Sequence, residues 1–183
     1  PILLVANEFF DALPIHQYVY SKSKSKSKWY ERVVGVNDKG DFEFGVAGEG
    51  KMAKYQSDLD IKDNSIVELP VIGRNIATAI TSHIAKFGGG ALIIDYGYDK
   101  PGYGDTLQAV SKHKYHSVLE NIGKVDVTAH VNFPVLQDAV TTSDVCVIGP
   151  VTQREFLQTL GIDLRLESLL QQASGDQKKH LQS

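Results

Sequence analysis

The sequence is poor in several features, and each shortage excludes something. With a single cysteine, Cys146, no internal disulfide can form. Cys146 lies in the apolar run VCVIG, so burial is expected there rather than redox chemistry. No apolar run approaches the roughly 18 to 20 residues needed to cross a bilayer, and no charged, apolar, small-residue leader opens the chain. Basic charge is also scarce. The 19 Lys and Arg face 22 Asp and Glu, and four of those lysines sit in SKSKSKSK, Ser21 to Lys28. Setting the repeat aside leaves 15 against 22, an acidic body that makes a poor phosphate binder and disfavours nucleic acid as a main partner. The repeat has no apolar periodicity and reads as a mobile, solvated loop between strands.

Chemical signatures are missing as well. A nucleotide cradle needs a glycine-rich turn just after a strand, but GVAGEG lacks the spacing and FGGGALIID puts its glycines before the strand. No G-x-S-x-G nucleophile elbow occurs. His113 and His116 in HKYH stand three apart without a third ligand, so no metal site is expected. The one methionine is Met52, and Pro1 leads directly into an apolar strand. The expectation is the later part of a longer protein.

What remains can form one sizeable core: 183 residues, 42% of them hydrophobic, fit one domain or one and a half. Ile2 to Ala6 reads as a parallel strand covered on both faces. From Gln17 to Val46 the aromatic and β-branched stretches QYVY, WYERVVGV and DFEFGV, the last two separated by the turn-like NDKG, predict an antiparallel insertion. Ile72, Ile76, Ile80, Ile84 and Phe87 mark one helical face between Pro70 and Phe87, and Gly88 to Gly90 stop it. ALII, Ala91 to Ile94, then forms a second buried strand parallel to the first. VDVTAHVNF reads as a half-exposed strand, and Asn132 caps a helix from Phe133 to about Thr142. DVCVIGP predicts another strand, TQRE a capping box opening a helix closed by Gly161, and Asp163 to about Ala173 a final helix.

Both apolar strands end in acid and aromatic residues, NEFFD at 7 to 11 and DYGY at 95 to 98. Ligands of an open parallel sheet bind beyond the carboxyl ends of its strands, so Glu8 and Asp95 are expected to face one crevice. The plainer reading makes Glu8 and Asp11 caps of a following turn. His16 and His130 read as hydrogen-bonded structural residues, with His130 a candidate for the rim.

Taken in order, ANEFFDALPIHQ, WYERVV, IVEL, GGGALIIDYGY, GDTLQAVSKHKYH, DVTAHVNF and TQREFLQTLGI resemble the MidA-like proteins. That family comprises S-adenosylmethionine-dependent methyltransferases and includes a mitochondrial complex I assembly factor acting on protein arginine. The resemblance implies an α/β, Rossmann-like class I methyltransferase sheet from its fourth strand onward, with a β-rich insertion at about 17–60. Residues 1–183 would be the C-terminal part of the domain, without the cofactor-binding N-terminal part. It further implies S-adenosyl-L-methionine as cofactor, an arginine-bearing protein substrate, and a bacterial cytoplasm or mitochondrial matrix location.

Methyl transfer from a sulfonium is an in-line displacement, so alignment and exclusion of water matter most. Asn7, Glu8 and Phe9 are the cofactor-side candidates. Glu8, Asp11 and Asp95 are candidates for orienting and deprotonating a guanidinium. Phe10, Tyr96, Glu68 and His130 are candidates for holding it. Two other readings stand beside this one: a non-catalytic assembly protein keeping the methyltransferase shell, and an acid-based hydrolase using Glu8 and Asp95.

Overall fold

Ile2–Asn7 forms strand β1 in a computed structural model that describes residues 1–23, 27–50, 61–100, 102–141, 144–175 and 177–178. The chain continues through β2 (His16–Ser21), β3 (Lys28–Val36), β4 (Phe42–Glu49), β5 (Ile66–Leu69), helix α1 (Val71–Phe87), β6 (Gly89–Ile94) and β7 (Gly97–Tyr98). It then forms β8 (Gln108–Ser111), β9 (Lys114–His116), β10 (Asp126–Thr128), β11 (Val131–Asn132) and α2 (Phe133–Asp138). All of these lie in one compact unit, Pro1–Val147. A second unit, Ile148–Ser183, holds α3 (Gln153–Thr159) and α4 (Ile162–Gln172).

β1 and β6 pair in parallel, from Ile2 opposite Gly89 to Asn7 opposite Ile94, with α1 leading into β6. Strand side chains alternate between faces. Ala6 and Ile93 therefore turn to the same side and pack with Ile76 and Ile80 of α1 around buried Phe10, Ala77, Val131, Leu136 and Ala139. Leu3 and Val5 turn the other way and are 91% and 70% exposed. The apolar run predicts cover on both faces, but among the described residues only the α1 face has it. The glycines after α1 have distinct tasks. Gly88, at φ 78°, ends the helix by donating its N–H to the Ile84 carbonyl, and a Cβ on Gly89 would collide with the Ile2 carbonyl.

The insertion is a four-stranded antiparallel sheet in the order β4-β3-β2-β5. It extends beyond the expected end near residue 60, because IVEL is its fourth strand, pairing with β2. Asn37 shapes the β3–β4 turn, its Oδ1 accepting from the N–H groups of Lys39 (2.9 Å) and Asp41 (3.0 Å). One face buries Trp29 and Val67 with Tyr18, Tyr20, Leu69 and Tyr103. Of the Ser-Lys repeat, residues 24–26 lie outside the described residues. Its ends belong to the sheet, where Ser21 pairs with Lys28 and Lys28 Nζ meets Glu49 at 2.6 Å.

Further expectations need correction. VDVTAHVNF is two short strands rather than one: β10 pairs antiparallel with β8, β11 pairs parallel with β7, and the change of partner breaks the run at Ala129 and His130. DVCVIGP is not a strand. No ladder takes it among the described residues, and it is open to solvent, with Ile148 91% exposed and Cys146 exposed rather than buried. The helix after Asn132 ends at Asp138, short of Thr142, itself outside the described residues. Its cap is as expected, Asn132 accepting from Val135 N–H, and so is the Thr152–Glu155 capping box of α3.

Candidate functional site

At the end of the parallel pair the backbone turns sharply. Glu8 donates its N–H to the Ile94 carbonyl at 2.9 Å, extending the ladder by one bond, and then adopts φ 46°. This left-handed conformation costs a non-glycine residue about 1 to 2 kcal/mol, and such strain gathers at functional turns. Asn7 and Glu8 are exposed at this corner, and Phe9 is partly exposed, set edge-on to Phe10 at 5.3 Å. Phe10 itself is buried in the α1 core.

Asp95 holds the turn. One of its oxygens accepts from the N–H groups of Phe10 (3.0 Å) and Asp11 (3.3 Å), and the other from Tyr96 (3.0 Å). Burial, followed by the charge of Asp11, raises its pKa above the usual carboxylate value; the three N–H groups act against that rise. Asp11 is 5% exposed. Its Oδ2 accepts from the Tyr96 hydroxyl at 2.5 Å, while its Oδ1 is buried without a hydrogen-bond partner among the described residues. The Tyr96 phenol is pushed up by burial first and by that bond second. The His130 ring stands edge-on to Tyr96 at 5.6 Å.

Three successive N–H groups tie the chain around His130 to three other segments. Ala129 donates to the Asp11 carbonyl (2.9 Å), His130 to Thr106 Oγ1 (2.9 Å) and Val131 to the Tyr96 carbonyl (3.0 Å). Thr106 is held in turn by Glu68. Arg32, Gln17 and Glu68 form a cross-strand row on β3, β2 and β5. Gln17 Nε2 donates to Glu68 Oε1 (2.8 Å) and Asp105 Oδ1 (2.9 Å), and Arg32 donates to Gln17 Oε1 (3.1 Å) and Asp105 Oδ2 (2.6 Å). Glu68 is buried, and both of its oxygens accept from Thr106. A cavity of about 380 Å3 opens beside this row, lined by Asp11, Leu13, Ile15, Arg32, Phe44 and Val127 among others.

The structure thus brings Asp11, Asp95, Tyr96 and His130 into one cluster, with Glu8 and Asn7 at its exposed corner. Among the described residues Glu68 joins it through Thr106. Sequence reasoning missed Gln17, Arg32, Asp105 and Thr106. A signal for the first existed, since reading IVEL as a strand against HQYVY puts Gln17 opposite Glu68. Asp105 and Thr106 reach the row from a loop, and no periodicity marks them. His113 lies in the β8–β9 turn, at φ 59°, and His116 in β9. His16 bonds Glu31 at 3.0 Å.

A family model described as "Putative S-adenosyl-L-methionine-dependent methyltransferase" matches residues 1–151. The chain belongs to this family. It is 38% identical over 172 residues to the mitochondrial protein arginine methyltransferase NDUFAF7 of Danio rerio, covering 92% of this chain and 39% of that protein. It is 34% identical over 174 residues to the Homo sapiens protein of the same name, covering 93% and 37%. A Burkholderia thailandensis structure with S-adenosyl-homocysteine bound superposes with a TM-score of 0.78 at 22% identity, over 98% of this chain and 46% of that one. The chain therefore spans under two-fifths of the length of these curated relatives. Its architecture is that of the class I, Rossmann-like methyltransferases, with an antiparallel sheet inserted after the first parallel strand. Among the described residues no helix is long and apolar enough to cross a membrane.

Proposed function

We propose that this chain forms the substrate-side part of an S-adenosyl-L-methionine-dependent methyltransferase acting on arginine in a protein, in the mitochondrial matrix or a bacterial cytoplasm. The observation that carries the reading is the carboxylate cluster at the carboxyl ends of two parallel strands, with one buried oxygen of Asp11 left unpartnered among the described residues. Ligands of open parallel sheets bind there, and buried polar atoms elsewhere are almost always paired. The names of the similar proteins support the reaction and the arginine substrate.

Bound at this corner, the cofactor supplies an electrophilic methyl group on sulfur. Asn7 and Glu8 fit its amino-acid end, being polar and exposed where β1 stops. No glycine-rich turn follows a strand in this sequence, so we assign the rest of the cofactor's contacts to the part of the family fold that this chain does not span. A guanidinium is protonated at neutral pH and presents five donors, so transfer to it needs carboxylates to orient it and take a proton. Glu8 is the exposed carboxylate and serves as base. Asp95 is engaged with three backbone donors and fixes the turn that carries Glu8. Asp11 adds negative charge beneath the corner. Tyr96 and His130 offer aromatic faces to a cation.

The test uses a polypeptide of the relatives' full length containing this sequence, incubated with methyl-labelled cofactor and an arginine-rich protein, followed by amino-acid analysis. Methylarginine is the expected product. Label in another residue would overturn the substrate, and tight cofactor binding without transfer would favour a non-catalytic assembly role.

A further inference from the structure

The antiparallel sheet sends one carboxylate toward the strand-end cluster without reaching it. We propose that Glu68 is a positioning residue: through the Thr106 hydroxyl it fixes the backbone and ring of His130 against Tyr96, so that the insertion sets the aromatic wall of the site. This assignment rests on the reading of the strand-end cluster as the site.

An ionised carboxylate only accepts. Glu68 Oε1 already receives Gln17 Nε2 at 2.8 Å and Thr106 N–H at 2.9 Å, and Oε2 lies 2.5 Å from Thr106 Oγ1. The Thr106 hydroxyl hydrogen must therefore point at Glu68. That leaves the oxygen's lone pairs for the His130 N–H, 2.9 Å away. By taking the hydroxyl hydrogen, Glu68 fixes the Thr106 rotamer whose oxygen accepts from His130. A glutamine there would turn an N–H toward the same oxygen, leaving the hydroxyl without its acceptor and the rotamer without its anchor. The neighbouring bonds, Ala129 to Asp11 and Val131 to Tyr96, do not pass through Thr106. Losing the central bond should consequently rotate the His130 peptide and its exposed ring while the segment stays in place.

The sheet is built to hold Glu68 still. Its cross-strand neighbour Gln17 is itself pinned by Asp105 and Arg32, and the Arg32 guanidinium lies over the Phe44 ring at 3.6 Å. The loop carrying Asp105 and Thr106 is fastened to the edge strand by the Gly104 N–H to the Ile66 carbonyl, 2.8 Å. Tyr103 stacks on Trp29 at 6.0 Å with the aromatic cluster, while Thr106 reaches the row that holds Glu68. A loop anchored this way transmits the position of the sheet instead of moving independently of it.

The test reads the His130 ring directly. In carbon-proton spectra of this chain, the His130 Cε1–H signal is expected to carry a ring-current shift from Tyr96, whose ring lies 5.6 Å away. E68Q and Thr106→Val should both move it toward the position of an unperturbed histidine, leaving the Ala77 and Leu136 methyl signals unchanged. Thr106→Ser keeps the hydroxyl and should restore it. An unmoved His130 signal in Thr106→Val with native core signals would overturn the proposal. So would unfolding of E68Q and Thr106→Val alike with Thr106→Ser native, since Glu68 would then act on stability alone. In the full-length polypeptide, E68Q should lower kcat for methyl transfer by up to about 10²-fold with cofactor affinity kept, the scale of a misplaced reacting geometry. A shifted His130 ring with unchanged kcat would leave the positioning intact and remove the cluster from the proposed reaction.

Discussion

Two regions of the first unit bury carboxylates in opposite ways. In the antiparallel sheet, Glu68 has every oxygen occupied, by an amide, a backbone N–H and a hydroxyl. At the parallel strand ends, Asp11 keeps a buried oxygen without a partner among the described residues, and Asp95 carries a raised pKa despite accepting three N–H groups. A satisfied buried carboxylate stabilises and orients what surrounds it. An unsatisfied one beside a second negative charge lowers the stability of the resting fold, and such groups cluster where a ligand completes them. The same residue type thus marks scaffold in one region and candidate site in the other; because Trp29 Nε1 in the antiparallel sheet is also buried without a hydrogen-bond partner among the described residues, it is the strand-end position together with the orphaned oxygen that marks the site.

The largest effect should come from the core that joins these regions. Phe10 follows the strained corner, donates its N–H to Asp95 and buries its ring against α1, so Phe10→Ala should cost about 3 to 5 kcal/mol of stability. Leu3→Ala, on the bare face of β1, should stay within about 0.5 kcal/mol in this chain. Chemical denaturation of both variants checks the pair. An equal loss would mean that the exposed face of β1 is packed in solution.

Next comes the exposed acid at the corner. Glu8→Gln in the full-length polypeptide should reduce methyl transfer by roughly 10²-fold or more, the usual scale for a general base, with a much smaller change in cofactor affinity. Asp138→Asn, exposed at the end of α2, is the control and should be close to silent. Lost cofactor binding with an intact fold would reassign Glu8 from base to cofactor ligand.

Tyr96→Phe addresses the unpaired side of the comparison. It removes the donor to Asp11 Oδ2 and leaves the buried carboxylate with neither oxygen bonded by a side chain, at a cost of about 1 to 3 kcal/mol. Chemical denaturation of the variant beside the parent would show the loss, and unchanged stability would mean that the hydroxyl bond to Asp11 adds nothing to the fold.

How much of this was legible beforehand follows physical range. Local signals were sound: the helical face of α1 with its glycine stop, the Asn132 cap, and the Thr152 capping box all depend on residues within a few positions of each other. The parallel pairing of Ile2–Asn7 with Gly89–Ile94 was also within reach, since two apolar strands joined through a helix pair in this way. The row Arg32, Gln17, Glu68 needed the register of three strands, which the short IVEL segment did not announce. Thr106 depends on a loop folding over a sheet edge, a contact across 38 residues of chain from Glu68. Exposure of DVCVIGP was unreadable because an apolar run states a preference for burial without naming the surface that supplies it.

The smallest effect is also the sharpest, because it reads the charge of Glu68 from the parallel side. Tyr98 lies in β7, paired with β11, and its phenol is pushed up to about 12, by burial first and by the charge of Glu68 second, with the Asn132 side chain acting against both. A raised phenol means the folded state holds its proton more tightly than the unfolded chain does. The linkage is therefore negative: stability loses ground as pH climbs from the unfolded value near 10 toward 12. Carbon-13 labelling of tyrosine Cζ can follow Tyr98 among the eight tyrosines. Glu68→Gln removes the second cause and keeps the first, so the Tyr98 midpoint should fall yet remain above 10. A Tyr98 midpoint that ignores the substitution would mean that the Glu68 charge is screened from the parallel strands.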